Sequence, residues 1–308
     1  MNTLLVIEGP TGVGKTDITL RLAKALSTVV INADSRQIYK ELPIGTAAPS
    51  AKEQQEVKHY FVGTHSLSET YSAAMFEHDV LCLLEKLFVE HEVVIMSGGS
   101  MMYVDAVCNG LDNLPTISAL MRLRVQQLLE QKGLAAVADE LKQLDPQYYA
   151  EVDLQNPRRV CHAVEICYQA GVPYSSLRLK KRKPRSFNII KFALSRPRPQ
   201  LYERINLRVD QMVTNGLLQE AQSVLAPYNG EELPNSLNTV GYKELYKVKI
   251  GEWNLPYALE MIKQNSRRYA KRQLTWLRSD PDLKWININE YESENDIITT
   301  IIDMLHSM

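Results

Sequence analysis

The chain has 308 residues, of which 45% are hydrophobic and 23% are charged, and its net charge at pH 7 is −1. These values are typical of a globular protein, and the length allows one large domain or two modest ones. No apolar stretch approaches the roughly 18 residues that a membrane helix requires. Because the N-terminus also lacks the pattern of a signal peptide, the sequence predicts a cytoplasmic protein with no membrane segment.

The first hundred residues alternate between predicted strands and helices. Continuous apolar runs predict buried strands at "TLLVIEG", "TVVINAD" and "EVVIMSGG". Apolar residues at helical spacing predict helices at "TDITLRLAKAL" and "SAAMFEHDVLCLLEKLFVEH". Strands and helices in alternation indicate an α/β fold, in which a parallel sheet carries helices on both faces.

The pattern changes after the third predicted strand. Residues 116–179 contain helix after helix, at "ALMRLRVQQLLEQKG", "LAAVADELKQLD" and "PRRVCHAVEICYQAG". A strand-like run, "SFNIIKFALS", resumes at Ser186, and two long helices follow, "LYERINLRVDQMVTNGLLQEAQSVL" and "ALEMIKQNSRRYAKRQLTWLRS", before a last strand, "KWININ". We therefore predict a helical insertion at 116–185 within a core formed by residues 1–115 and 186–308.

The near-zero net charge conceals a strongly basic segment. Between Arg178 and Arg208 the chain has eleven lysines and arginines against one acid, Glu203. Such a segment suggests a polyanionic partner, most plausibly nucleic acid, although a solvated basic loop has the same composition. The four cysteines form no CxxC pair and lie in apolar contexts, which favours core packing over a metal site.

A phosphate-binding loop lies between the first strand and the first helix. The segment "GPTGVGKT" satisfies G-x-x-x-x-G-K-[ST] in the strand–loop–helix context that the motif requires. Its backbone N–H groups and the helix N-terminus can hold phosphate oxygens, Lys15 adds a positive charge, and Thr16 offers a hydroxyl to Mg²⁺. The predicted diphosphate-binding residues are Gly9, Pro10, Thr11, Gly12, Val13, Gly14, Lys15 and Thr16.

The acidic partner expected of an ATPase is missing from its usual place. The third strand ends in "IMSGGS", without the Walker-B aspartate, and no N-K-x-D motif occurs. The carboxylate is instead Asp34, at the end of the second strand, where it should face the phosphates. It could hold Mg²⁺ or take a proton from an attacking group; alternatively, it caps a helix at "SRQIYK". A kinase and a transferase with a diphosphate leaving group both remain possible.

Seven segments, in order along most of the chain, resemble the tRNA dimethylallyltransferases, also called tRNA isopentenylpyrophosphate transferases. Apart from the phosphate loop, each segment is weak by itself, but their shared order makes the resemblance specific. The segments are "GPTGVGKT", "NADSRQIYKELPIGTAAPS", "GGSMMY", "NPRRVCHAVEI", "LYERINLRVDQMVTNGLLQEA", "NTVGYKEL" and "RRYAKRQLTWLR".

The resemblance implies a P-loop NTPase-like sheet with flanking helices and an inserted all-helical domain that grips the tRNA anticodon stem-loop. It implies transfer of a dimethylallyl group from dimethylallyl diphosphate to N6 of the adenosine that follows the anticodon. Pyrophosphate is then the leaving group, and Mg²⁺ neutralises its developing charge. The target base must be flipped out of its stack to reach the catalytic carboxylate. We expect a monomer.

The resemblance also implies roles for individual residues. Asp34 is the general base, while Lys15, Thr16 and Arg208 act on the diphosphate. The residues implied to contact tRNA are Asp34, Ser35, Arg36, Gln37, Ser100, Arg122, Arg158, Arg159, Asn238, Thr239, Val240, Gly241, Tyr242 and Lys243. The basic helix around Arg267, Arg268, Lys271 and Arg272 looks like a further RNA-facing element.

Two features depart from the family pattern, and three alternatives remain. Ala48 stands where the family commonly has lysine, and "HYFVGTHSL" differs from the usual form of that segment. An adenylate dimethylallyltransferase that acts on free AMP, ADP or ATP would share the loop and Asp34, but a free nucleotide needs no helical insertion. A P-loop nucleoside kinase and a non-catalytic RNA-binding protein are less consistent with the motifs.

Overall fold

The computed structural model of the protein describes residues 2–179 and 181–307. The chain forms two compact units: one comprises the chain up to Cys108 and from Arg185 onward, and the other comprises Asn109–Pro184. The second unit begins earlier than the sequence-based boundary at 116, because Leu114 and Ile117 pack into its core. The backbone N–H of Lys183 also donates to the carbonyl of Asn109 at 2.7 Å, which ties the two ends of this unit together.

The first unit is built on a six-stranded, fully parallel sheet, as the sequence predicts. The strands lie in the order β3-β2-β4-β1-β5-β6. They are β1 Thr3–Glu8, β2 Val30–Asn32, β3 His59–Tyr60, β4 Val93–Ser97, β5 Asn188–Ser195 and β6 Leu283–Asn287. The short β3 has no signal in the sequence, because two residues are too few to show a period. Every residue of β1 is buried, as expected of a central strand between two apolar layers.

Helices cover both faces of this sheet. Those that belong to the first unit are α1 Lys15–Ala25, α2 Ala51–Glu56, α3 Ala73–Leu87 and α4 Met101–Asn109, then α9 Arg198–Thr214, α10 Leu217–Leu225, α11 Tyr242–Lys249, α12 Leu255–Leu277 and α13 Glu294–His306. The single long helix predicted from Leu201 is wrong: it breaks between α9 and α10 at Gly216, whose φ of 106° is left-handed. Apolar residues at helical spacing continue through the break, so the sequence pattern does not reveal it.

The second unit is entirely helical within its described residues. It contains α5 Ala119–Leu144, α6 Pro146–Glu151, α7 Pro157–Ala170 and α8 Tyr174–Leu177. Gly133 interrupts α5 with φ 77° and ψ 175°, which separates the two helices predicted there. Asp145 is 1% exposed and accepts hydrogen bonds from the backbone N–H of Tyr148 and of Ser175. One buried carboxylate therefore ties the start of α6 to α8.

No described helix combines the length and apolarity needed to cross a bilayer.

One arginine of the predicted basic segment, Arg178–Arg185, is withdrawn from the surface. Lys180 lies outside the described residues, and Lys181 is exposed. Arg185, by contrast, has a 9% exposed side chain that pairs with Glu77 at 2.7 Å and donates to the carbonyl oxygens of Ala106 and Val107. The expectation that this arginine contributes to a polyanion-binding surface is wrong, because its charge is neutralised inside the first unit.

We expect Arg185→Met to lower the free energy of unfolding by about 3–5 kcal/mol, because it removes a buried guanidinium that pairs with the 10% exposed carboxylate of Glu77. Urea unfolding followed by circular dichroism measures this change. Lys181→Met, an exposed cation nearby, should change it by less than about 0.5 kcal/mol. Similar effects of the two substitutions would contradict a stabilising role for the pair.

Candidate active site

A cavity of about 330 Å³ opens at the carboxyl ends of the central strands. The register explains its position, because Ile7 of β1 and Asn32 of β2 both pair with Ser97 of β4. The three strands therefore end at the same level of the sheet, and the chain segments that follow them surround one space. Residues that line the cavity include Thr11, Gly12, Gly14, Lys15, Thr16, Asp34, Gln37, Gly98, Gly99, Arg204, Arg208, Tyr269 and Gln273.

The predicted phosphate loop, Gly9–Thr16, curls over one side of this cavity. Gly14 has φ 107° and immediately precedes α1, so the loop can turn directly into the helix N-terminus. A Cβ on Gly9, whose φ is 150°, would lie 2.9 Å from the carbonyl oxygen of Leu194 on β5. Glycine is therefore required at both ends of the loop, once for conformation and once for close packing against the sheet.

Lys15 lies across its own loop. Its Nζ donates to the carbonyl oxygens of Gly9 at 2.7 Å and Pro10 at 3.1 Å. Burial lowers its pKa to about 8, with a further lowering by Arg208, and the charges of Asp34 and Glu8 oppose this only in part. An anion in the cavity would favour the protonated amine, which the protein alone disfavours.

Arginine side chains from α9 and from Arg196, just before that helix, donate hydrogen bonds to the loop. Arg208 Nη1 donates to Thr11 Oγ1 at 3.3 Å, and burial together with Arg204 lowers its pKa. Arg204 Nε donates to the carbonyl of Gly12 at 2.9 Å, and Arg196 Nε donates to that of Val13 at 2.8 Å. Only Arg208 was predicted. Arg204 precedes it by four residues on the same helix, and this i, i+4 spacing could have identified it.

Asp34 also lines the cavity, two residues after the end of β2. Its Oδ1 accepts hydrogen bonds from the backbone N–H of Arg36 at 2.9 Å and Gln37 at 3.4 Å. The segment "SRQIYK" forms consecutive turns, so the alternative of a helix N-cap is wrong, although the carboxylate does cap a turn. One oxygen of the carboxylate, Oδ1, thus organises the local backbone, and the residue lines the same cavity as the phosphate loop.

Several residues predicted to contact tRNA already use their polar atoms inside the protein. Ser100 Oγ accepts from the backbone N–H of Ser35 at 2.7 Å and donates to Ser35 Oγ at 2.9 Å. Gln37 Nε2 donates to the carbonyl oxygens of Thr46 and Ala47 at 3.0 and 3.1 Å. These contacts shape the segment beside Asp34. A base edge could meet only the remaining polar atoms of these residues.

The predicted RNA-facing segment Asn238–Lys243 divides into surface and core. Asn238 is exposed, whereas Tyr242 is 0% exposed and its hydroxyl donates to Glu220. Direct tRNA contact by the Tyr242 side chain, which the resemblance implied for the whole segment, is therefore a wrong prediction, because this side chain lies in the core. Glu220 also accepts from the backbone N–H of Ile44 and Gly45, both at 2.8 Å, so Tyr242 supports the loop beside Gln37 indirectly.

Three other residues predicted to contact tRNA belong to the second unit. Arg122 lies on α5, and Arg158 and Arg159 lie in the first turn of α7. All three are exposed, which suits contact with a phosphate backbone. Their role remains a prediction.

The profile of the IPP transferase family matches residues 37–280 of the chain. The chain belongs to this family. A tRNA dimethylallyltransferase of Bacteroides thetaiotaomicron is 52% identical over 294 residues, which cover 96% of this chain and 94% of that protein. One of Phocaeicola vulgatus is 49% identical over 307 residues, which cover 100% and 99%. The matched profile begins after Asp34, but the similarity to the Phocaeicola vulgatus protein covers the whole chain and therefore includes the phosphate loop.

Solved structures of the IPP transferase family share the fold. The crystal structure of a tRNA isopentenylpyrophosphate transferase from Bacillus halodurans matches with a TM-score of 0.73 and 33% identity, and the match covers 100% of this chain and 96% of that one. The α/β fold class predicted from the sequence, with its P-loop-like sheet, is confirmed.

We expect the affinity for inorganic pyrophosphate to fall as the pH rises above about 8, because Lys15 then loses its proton. Since burial has lowered this pKa, the charged form that attracts the anion predominates only below it. Loss of one proton predicts a Kd that rises by up to roughly tenfold per pH unit above the pKa. Calorimetric titrations across this range measure the effect.

Lys15→Arg is the matched control, because a guanidinium stays charged throughout this range. Protons bound by pyrophosphate itself affect both proteins equally, so the difference between them reports Lys15. The same pH dependence in both proteins would contradict titration of Lys15.

Proposed function

We propose that the protein transfers a dimethylallyl group from dimethylallyl diphosphate to N6 of the adenosine adjacent to the anticodon in tRNA, and releases pyrophosphate. The observation that carries this proposal is that the phosphate loop and Asp34 line one cavity. Family membership and the similarity to proteins named tRNA dimethylallyltransferase support the same activity.

The charges of the cavity suit a diphosphate more than a neutral ligand. Lys15, Arg204 and Arg208 line it together with the carboxylates of Asp17 and Asp34. Both Lys15 and Arg208 have lowered pKa values because they are buried near other cations. A polyanion would relieve the repulsion between these cations. Its binding is therefore favoured by the unfavourable arrangement of positive charges that the folded protein already contains.

The acceptor amine needs help because its lone pair is delocalised into the adenine ring. Asp34 accepts a proton from N6 while the nitrogen forms a bond to C1 of the prenyl group. The bond between C1 and the diphosphate oxygen breaks, and its electron pair leaves with pyrophosphate. Lys15, Arg208 and the N-terminus of α1 stabilise the negative charge that develops on this oxygen.

The residues of the cavity fit Mg²⁺ as an auxiliary ion. The hydroxyl of Thr16 and the carboxylate of Asp34 are oxygen donors, which this cation prefers, and both line the cavity. Among the described residues, no group of three or more His, Cys, Asp or Glu side chains could hold a metal by itself. This suits an ion that binds mainly through the substrate's phosphates. When bound, Mg²⁺ would supply further neutralisation of the leaving group.

We expect the protein to transfer label from radioactive dimethylallyl diphosphate to tRNA and not to AMP. Asp34→Asn removes the proton acceptor while retaining the shape, and should slow this transfer by about 10²–10⁴-fold. Binding of tRNA to the variant, measured by filter retention, should stay within about threefold of wild type.

Each other outcome of this experiment points to a different conclusion. Label in AMP would indicate an adenylate dimethylallyltransferase, and label in neither acceptor would overturn the proposed function. Transfer by Asp34→Asn at the wild-type rate would leave the reaction intact but refute the general-base role.

The second unit is proposed to contact the tRNA backbone. Combined replacement of Arg122, Arg158 and Arg159 by Gln should weaken tRNA binding and reduce the slope of log Kd against log salt concentration by about 2–3, roughly one for each lost phosphate contact. Lys132→Gln, an exposed cation on the same helix as Arg122, is the control and should leave most of the slope unchanged. An unaltered slope in the triple variant would make these arginines ordinary surface residues.

A further inference from the structure

Gln273 is a buried amide in the wall of the cavity, and the sequence analysis assigned it no role. It lies near the end of α12 and is 1% exposed. Its Oε1 accepts a hydrogen bond from the backbone N–H of Thr11 at 2.8 Å. Its Nε2 donates to the carbonyl oxygen of Gly99 at 2.9 Å. The two polar atoms of this side chain are thus each hydrogen-bonded to a different backbone segment.

These two segments belong to opposite halves of the proposed reaction. Thr11 is part of the phosphate loop, whereas Gly99 is in the turn that follows β4. Ser100, the next residue in that turn, donates its backbone N–H to the carbonyl of Ala33 at 3.1 Å, and its hydroxyl accepts from the N–H of Ser35 at 2.7 Å. The turn is therefore hydrogen-bonded to Ala33 and Ser35, the residues immediately before and after Asp34.

The packing around Gly99 leaves no room for a side chain at this position. A Cβ on Gly99 would lie 2.9 Å from Nε2 of Gln273 and 3.2 Å from Oδ2 of Asp34. Tyr269, one helical turn before Gln273, donates its hydroxyl to the same Gly99 carbonyl at 3.0 Å. The turn, the amide and the carboxylate are consequently in close contact, and α12 holds the turn at two points.

The phosphate loop is held just as firmly at Thr11. Its backbone N–H is bound to Gln273, and its hydroxyl accepts from Arg208. The amide of Thr11 therefore anchors the loop to α12. A shift of the helix at Gln273 would move the phosphate loop and the Asp34 turn together, whereas loss of the amide would let them move independently.

We propose that Gln273 is a positioning residue that fixes the separation between the diphosphate-binding loop and Asp34. This inference rests on the proposed function, in which the prenyl carbon and the acceptor nitrogen must approach to about 3–3.5 Å while the proton acceptor stays in reach. Glutamine suits this role because one side chain offers an acceptor at one atom and donors at the other. An ionised glutamate offers only acceptors.

The first test separates positioning from binding. Gln273→Met keeps the length and the burial but removes both hydrogen bonds, and should slow single-turnover prenyl transfer to tRNA by about 10²-fold, since a misplacement near 1 Å has an effect of this size. The Kd values for pyrophosphate and for tRNA should stay within about threefold of wild type. Gln222→Met, at an exposed position on α10, is the control for the substitution itself.

The second test uses a readout that packing alone would not move. In Gln273→Glu, the protonated carboxyl can donate to Gly99 and accept from Thr11, as the amide does, but the ionised form cannot donate. The ratio of variant to wild-type rate should therefore rise about tenfold or more as the pH falls from about 9 to about 6. Lys15, Asp34, Arg208 and Tyr269 line the same cavity, so the pH profile of Gln273→Met, which adds no ionisable group, is the control for changes that do not come from the new carboxyl.

The outcomes distinguish this inference from the proposed function. Wild-type protein that transfers no label would overturn both. An active wild type together with a fully active Gln273→Met variant, or with a pH-independent ratio for Gln273→Glu, would overturn the positioning role alone. Parallel losses of thermal stability and of both binding affinities in Gln273→Met would also overturn it, since they would make the residue a general structural support.

Discussion

Ser97, the last residue of β4, pairs with Asn32 at the end of β2 and with Ile7 one residue before the end of β1, and the geometry of the site depends on this register. Backbone hydrogen bonds impose it, and the apolar faces of the strands resist any slip because each side chain would move to the wrong face. The loops that leave the three strand ends then have one shared space to surround. The phosphate loop, Asp34 and the turn at Gly98 and Gly99 therefore line one cavity at this edge of the sheet.

Close packing at Gly98 carries this constraint from the sheet into the site. A Cβ there would lie 2.2 Å from the carbonyl oxygen of Ala33, so the turn after β4 can approach the end of β2 only because glycine has no side chain. Ser100 then uses its backbone and its hydroxyl to bind the residues on both sides of Asp34. The segment that carries Asp34, the proposed catalytic carboxylate, is thus held by the turn after β4 as well as by hydrogen bonds within its own turn.

Electrostatics makes the same site receptive to an anion. Burial raises the pKa of Glu8, at the end of β1, to about 7, which disfavours its negative charge. Burial lowers the pKa of Lys15 to about 8, which disfavours its positive charge. Both shifts reflect charges that the protein alone stabilises poorly. A bound diphosphate would place negative charge close to Lys15 and so favour its protonated form. The cavity therefore favours a ligand that brings its own charge.

Local patterns were enough to predict much of this protein. The strands at Thr3, Val30 and Val93, the glycine-rich loop and the role of Asp34 as a carboxylate at a strand end all follow from periodicity and from the rule that parallel strands end at one edge. Only the tertiary structure decided which polar residues face inward. The side chain of Arg185 is only 9% exposed and Tyr242 is fully buried, although both lie in segments that the sequence predicts to face a polyanion, and Thr11 meets Gln273 across 262 positions of the chain. Sequence patterns report the neighbours of a residue along the chain, whereas burial and hydrogen-bond partners are set by segments that folding brings together.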